Sequence, residues 1–118
     1  MREKEETAER LFNLSLRYAP NHRAYLGLGI IKQKKSEYEE SIRILLEGVN
    51  HFPESEDLCV SLGISYMNLK DYAAALACFA RFPESKTATT CIPSCLEAMG
   101  KSRLKDRYEG EHKAVKAQ

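Results

Sequence analysis

Residues 25–45 read YLGLGIIKQKKSEYEESIRIL, and residues 59–79 read CVSLGISYMNLKDYAAALACF. The two stretches lie 34 residues apart and match position by position. Leu-Gly-Ile stands at the fourth to sixth place in both, and an acidic residue followed by Tyr stands further along in both. A period of this length is typical of repeat proteins, in which each unit is a helical hairpin that buries its apolar face against its neighbours. The repeat therefore predicts an all-α fold of stacked hairpins.

Small residues recur where the two helices of each predicted hairpin would cross. Gly29 and Gly63 fall on the first helices, and Ser41 and Ala75 fall on the second helices. A glycine inside a helix costs about 0.8–1 kcal/mol relative to alanine. Two glycines at the repeat spacing therefore indicate a packing requirement, because a larger side chain would hold the two backbones apart.

The shared positions resemble the tetratricopeptide repeat (TPR) family. Both units carry Leu-Gly, then Tyr, a small residue and a large apolar residue at the family's spacing, and Pro53 and Pro83 close them. Ser36 and Lys70 depart from the pattern, since the family often has glycine at these places. Over residues 22–83 the resemblance implies a TPR-type right-handed superhelix of antiparallel helical hairpins, with about 2.5–3 repeats in the whole chain.

The chain is expected to form a single TPR-like domain, 1–118. Its parts are an N-terminal helix or half repeat at 1–20, repeats at 22–54 and 55–83, and a degenerate third hairpin or capping helices at 84–118. We predict helices at 3–18, 23–34, 37–51, 55–69, 72–82 and 85–100, the last interrupted by Pro93, and a polar terminal helix at 101–115. Ser36 is the predicted N-cap of the third helix. The second unit reaches its proline sooner, so its second helix should lose about one turn.

Composition restricts the classes of function. The chain has 118 residues, of which 43% are hydrophobic and 30% charged, and its formal net charge is +1. A near-neutral chain lacks the basic surface that nucleic-acid binding requires. No apolar run approaches the ~20 residues of a membrane span, and no secretory signal follows the charged start. We therefore expect a cytoplasmic protein with no nucleic-acid or membrane partner, whose four cysteines lie in a reducing compartment.

The resemblance implies that a partner binds on the concave surface formed by the first helices. Carried over to this chain, that surface consists of Arg23, Leu26, Ile30, Gln33, Lys34, Val60, Ile64, Met67 and Asn68. Its large side chains are mostly apolar, which favours a peptide or one face of an amphipathic helix. It lacks the Lys, Asn and Arg residues with which related domains clamp the C-termini of chaperones. Alternatively, these apolar residues are core, covered by a terminal helix.

No motif of catalysis is present, so we expect no enzyme activity and no cofactor. The sequence contains no nucleophile motif, no glycine-rich phosphate loop and no paired carboxylate with a supporting base. Cys91 and Cys95 have the spacing of a metal or redox pair on a helix, but a zinc site needs four ligands and no histidine is spaced to join them. We predict that all four cysteines are buried structural thiols and that no metal is bound.

These observations predict a scaffold for protein–protein interaction, with chaperone-like behaviour included. The alternative is an accessory or regulatory segment of a larger enzyme or secretion assembly, whose contacts are mainly intramolecular. RNA binding by helical repeats is disfavoured, because Leu26 and Val60 stand where such repeats place polar residues that read bases. Formation of a homo-oligomer remains open at this level.

Overall fold

A computed structural model describes residues 2–100, and this part of the chain is entirely helical apart from its turns. The helices are α1 (Arg2–Tyr18), α2 (His22–Lys34), α3 (Tyr38–His51), α4 (Glu56–Asn68), α5 (Tyr72–Ala80) and α6, which runs from residue 86 to residue 100. The predicted all-α class is confirmed. The helix predicted at 101–115 lies outside the described residues.

The helices pack in chain order as hairpins. α2 pairs with α3 and α4 pairs with α5, while α3 lies against α4, α1 lies against α2, and the two first helices α2 and α4 touch each other. The second helices α3 and α5 do not touch. α6 joins the second hairpin, because its Ala88 and Cys95 are fully buried in one cluster with Phe79 of α5. The layout is a helical repeat in which each hairpin is buried by its neighbours.

The crossing of each hairpin is built on a glycine. A Cβ atom placed on Gly29 would collide with the side chain of Leu45, and a Cβ atom on Gly63 would collide with the ring of Phe79. Leu45 and Phe79 are both fully buried. Ser41, at the small-residue position of α3, also has no exposed surface, and its hydroxyl donates to the carbonyl of Gly29 at 2.8 Å. The steric role predicted for the glycines is confirmed.

The turns inside the hairpins depend on two residues with left-handed backbone. Ser36 has φ 60° and Lys70 has φ 64°. Their amides donate to the carbonyls of Gln33 and Met67, and the amides of the next residues reach back to the carbonyls of Lys32 and Tyr66. This double bond pattern is the Schellman motif that ends a helix, usually with glycine at the left-handed place.

The prediction that Ser36 caps the N-terminus of α3 is therefore wrong. Ser36 ends α2 instead, and the residue before α3 is Glu37, whose side chain makes no capping hydrogen bond. Side-chain caps occur at the first helices of the units. Asn21 accepts from the amide of Ala24 at 3.1 Å, and Ser55 accepts from the amide of Leu58 at 3.3 Å.

The second unit is shorter than the first, as predicted. α3 has 14 residues, whereas α5 has nine and ends at Ala80 rather than near residue 82. Ser85 occupies the capping position before α6, where it accepts from the amide of Ala88 at 3.3 Å. It follows Ser55 by 30 residues rather than 34, so about one helical turn is missing between them.

Candidate binding surfaces

The predicted concave residues lie on one side of α2 and α4, which we call the first-helix face. Four of the nine are exposed: Arg23, Ile30, Lys34 and Asn68. Four are half-buried: Leu26, Gln33, Ile64 and Met67. The ninth, Val60, is only 7% exposed and belongs to a core cluster with Ala88 and Cys95 of α6.

α6 thus covers part of the first-helix face. Ile64 and Met67 pack against the same cluster as Val60, so the apolar residues of α4 are engaged inside the protein. The expectation that Val60 lines an open groove does not fit its burial, since packing of α6 against α4 takes the place of a ligand there. Ile30, on α2, keeps 36% of its surface exposed.

Gln33 has a structural role at the junction of the two first helices. Its side-chain amide donates to the carbonyl of Ser61 at 2.9 Å and to the hydroxyl of Ser65 at 2.7 Å. The Ser65 hydroxyl also lies 2.9 Å from that of Ser41. A buried polar chain of this kind stabilises the structure when every member is satisfied. Gln33 is therefore occupied by contacts within the fold.

A second surface, which the sequence analysis did not predict, lies on the side of the second helices. Because α3 and α5 do not touch, a groove remains between them, and α4 forms its floor. We call it the apolar groove. It is lined by Leu46, Val49, Cys59, Leu62, Tyr66, Ala74, Ala77, Cys78 and Arg81.

The preceding unit has a groove at the equivalent place, between α1 and α3 with α2 as the floor. We call it the polar groove. It is lined by Glu9, Asn13, Leu16, Tyr25, Leu28, Lys32, Glu40, Arg43, Ile44 and Glu47. Its floor residues Tyr25, Leu28 and Lys32 lie 34 positions before Cys59, Leu62 and Tyr66. Its α3 wall residues Glu40, Arg43, Ile44 and Glu47 lie 34 positions before Ala74, Ala77, Cys78 and Arg81. The fold therefore presents one groove twice, with different chemistry.

The polar groove satisfies its own charges. Lys32 lies 2.8 Å from one oxygen of Glu9, and Lys35 lies 3.1 Å from the other. Hydrogen bonds from these two lysines lower the pKa of Glu9. The hydroxyl of Tyr25 donates to Glu47 at 3.2 Å. With its ions already paired, this groove has little unsatisfied charge with which to attract a ligand.

The apolar groove is open because one of its walls is made of small side chains. Ala74 and Ala77 stand on α5 where the first unit has Glu40 and Arg43. The one charged lining residue is Arg81, at the end of α5, whose guanidinium donates to the carbonyl of Pro53 at 2.7 Å. The alanines of α5 were the sequence signal for this surface, and they become meaningful only when they are compared with α3.

The cysteines are free thiols in neutral surroundings. The thiol of Cys59 donates to the carbonyl of Cys78 at 3.4 Å, and burial raises the pKa of Cys78 to about 12. Burial also raises the pKa of Cys91 and of Cys95. Within residues 2–100 there is no group of three or more potential metal ligands. In the same part of the chain, no helix combines the length and the apolar character needed to cross a bilayer.

No protein-family model matches this chain, and no curated protein matches it in sequence. Its function must therefore be argued from the geometry of these surfaces.

Proposed function

We propose that the chain is a TPR-like protein-binding domain and that its partner contributes a short amphipathic helix to the apolar groove. The observation that carries this proposal is the groove between α3 and α5, which is open to solvent and has only one charged residue in its lining. Apolar surface that stays accessible between packed helices marks sites of interaction with proteins and apolar ligands.

The TPR assignment is supported by features that recur every 34 residues. They include the glycine contacts at Gly29 and Gly63, the left-handed turns at Ser36 and Lys70, and the capped first helices after Asn21 and Ser55. The antiparallel pairing of each first helix with the next helix fits the same family. A scaffold role follows from that architecture, because such repeats present extended surfaces to their partners.

The chemistry of the lining favours a helix over an extended peptide. An extended segment would bring unpaired amides and carbonyls onto apolar side chains, and each buried unpaired group costs about 1–3 kcal/mol. A helix satisfies its own backbone and presents residues at positions i, i+3, i+4 and i+7 to a groove. The guanidinium of Arg81 at one end calls for an acidic residue at the matching end of the helix.

The first-helix face is the second candidate surface for the same function. Ile30 is exposed there beside α2's cations Arg23 and Lys34, although α6 engages the apolar residues of α4. A binding experiment must therefore separate the two faces with matched substitutions. Leu46 in the apolar groove and Ile30 on the first-helix face are similarly exposed, at 42% and 36%.

The test uses a displayed library of amphipathic helical peptides selected against the purified protein. The best peptide is then measured by calorimetry against wild type, Leu46→Glu, Ala77→Glu and Ile30→Glu. We expect Leu46→Glu and Ala77→Glu to weaken binding at least tenfold, about 1.4 kcal/mol, and Ile30→Glu to leave it unchanged. All three sites are exposed, so helicity and unfolding should remain close to wild type.

Two results would overturn the proposal. Selection of no peptide above background would remove the case for a helix-binding groove. Loss of binding in Ile30→Glu alone would move the site to the first-helix face. A further selection against Arg81→Glu is expected to exchange the acidic residue of the recovered peptides for a basic one.

A further inference from the structure

α1 carries a row of large apolar side chains that face solvent. Leu11 is 60% exposed, Leu14 is 48% exposed and Tyr18 is 84% exposed. Thr7 continues the row one turn earlier, and we call these four residues the α1 stripe. Another side of the helix is already used, since Phe12 and Leu16 pack on the core that α2 shares with α3 and α4. The stripe is therefore a second, unused apolar face.

The repeat shows what kind of contact the α1 stripe fits. α1 ends at Tyr18, and α3 ends 33 residues later at His51. At this same spacing Asn13 and Leu16 of the polar groove take the places of Leu46 and Val49 in the apolar groove. α1 is thus equivalent to α3, the second helix of a hairpin.

In α3 the equivalent face is covered by α2. The counterparts of Leu11, Leu14 and Tyr18 are Ile44, Glu47 and His51. Each of these interacts with Tyr25 of α2: Ile44 belongs to the same core cluster, Glu47 accepts a hydrogen bond from the tyrosine hydroxyl at 3.2 Å, and the ring of His51 stacks on the tyrosine ring at 5.9 Å.

α1 therefore has the packing face of a second helix, but none of residues 2–100 supplies the antiparallel helix that would cover it. An antiparallel helix bearing an aromatic residue would complete the contact.

We propose that α1 of a second copy of this chain is that helix, so that two copies pair antiparallel about a two-fold axis through their α1 stripes. In this arrangement Leu11 of one copy meets Leu14 of the other, and each Tyr18 reaches Thr7 of its partner. Tyr18 then supplies the aromatic ring that Tyr25 supplies to α3. A two-fold pair uses the same patch on both copies, which is the commonest form of homo-oligomer.

The charges of α1 favour this orientation. The first turns carry Glu3, Glu5 and Glu6, whereas Arg10 and Arg17 are the charged residues of the second half, which has no acidic residue. Antiparallel pairing places the acidic end of each α1 beside the basic end of the other, and it also aligns the helix dipoles favourably. Glu3 and Arg17 lie on the same flank of the stripe, since they are fourteen residues, or about four turns, apart. Parallel pairing would place like charges together.

The first test is the mass of the protein in solution. Sedimentation over a concentration series should show a reversible species of twice the 13.4 kDa chain mass. We expect Leu14→Glu to raise the dissociation constant of this dimer at least tenfold without loss of helicity. Leu46→Glu is the matched control, because Leu46 is 42% exposed and Leu14 is 48% exposed, and it should leave the dimer intact.

The second test is charge reversal. Arg17→Glu and Glu3→Arg should each weaken the dimer, and the double variant should recover part of the loss, because it restores opposite charges across the interface. A monomer at all concentrations would overturn the proposal, as would a dimer that Leu46→Glu dissociates and Leu14→Glu does not. A double variant no stronger than the weaker single variant would overturn the antiparallel arrangement. Peptide binding in the apolar groove should survive Leu14→Glu, so the two proposals fail separately.

Discussion

Gly63 of α4 lies so close to Phe79 of α5 that a Cβ atom on the glycine would stand 2.6 Å from Cε1 of the phenyl ring. The ring is fully buried and has no free space into which to retreat. Gly29 and Leu45 stand in the same relation one unit earlier. The crossing of each hairpin therefore depends on the missing side chain of a glycine, and this contact leads to the first prediction.

Gly63→Ala should destabilise the protein even though alanine is the better helix former. The added methyl group overpacks the crossing, which costs about 1–3 kcal/mol, against a gain of about 1 kcal/mol in helix propensity. Urea denaturation should show a net loss. Gly100→Ala is the control, because no atom lies within 4 Å of its added Cβ, and it should be neutral or stabilising. A Gly63→Ala protein as stable as wild type would contradict the close contact.

Ser36→Gly and Lys70→Gly should each stabilise the protein. Both residues hold a left-handed backbone, φ 60° and φ 64°, which costs a residue with a side chain about 1–2 kcal/mol. Glycine relieves that strain at some cost in chain entropy, so the expected gain is about 0.5–1 kcal/mol. Lys35→Gly is the matched control, since φ is −84° there and glycine should only destabilise. Thermal unfolding of the three variants decides the matter, and a loss of stability in Ser36→Gly would refute it.

Glu9→Gln should lower stability in a pH-dependent way. Hydrogen bonds from Lys32 and Lys35 lower the pKa of Glu9 in the folded protein. Its contribution is therefore present above the ordinary carboxyl pKa of 4.5 and disappears as the pH falls through the folded value. We expect a difference of about 1 kcal/mol at pH 7 that shrinks steadily below pH 4.5.

Glu84→Gln, in the exposed turn before α6, serves as the control for that experiment and should show no such pH dependence. A gap between wild type and Glu9→Gln that stays constant down to pH 3 would mean that the ion pairs do not stabilise the fold.

Cys78 should react far more slowly than Cys91 with an alkylating reagent. Burial raises the pKa of Cys78 to about 12, so only about one thiol in ten thousand is ionised at pH 8, and the thiolate is the nucleophile. Cys91 is only half-buried. Iodoacetamide labelling followed by mass spectrometry should find Cys91 modified first in the native protein, and both thiols modified equally in urea. Equal rates in the native protein would show that the groove wall around Cys78 opens readily.

The local features of the fold were readable from the sequence. The helices were predicted within about two residues of their observed ends, because apolar spacing, prolines and caps act over a few neighbouring positions. The glycine crossings were also predictable, since the 34-residue repeat brings both glycines to the same place. Ser36 was misread as an N-cap because serine is a common cap, whereas its place in a Schellman turn depends on hydrogen bonds between backbone groups.

The surfaces were less predictable, because they depend on which helices fail to touch. The sequence by itself determined the helices, the hairpins and the residues at their crossings, since these follow from local propensity and from a repeat that every unit obeys. Only the tertiary structure decided that α6 covers Val60, that α3 and α5 stand apart over Leu62, and that Leu14 remains exposed. These outcomes depend on contacts between units distant in the chain, and a small side chain such as Ala77 opens a groove only where the neighbouring helix does not fill the space.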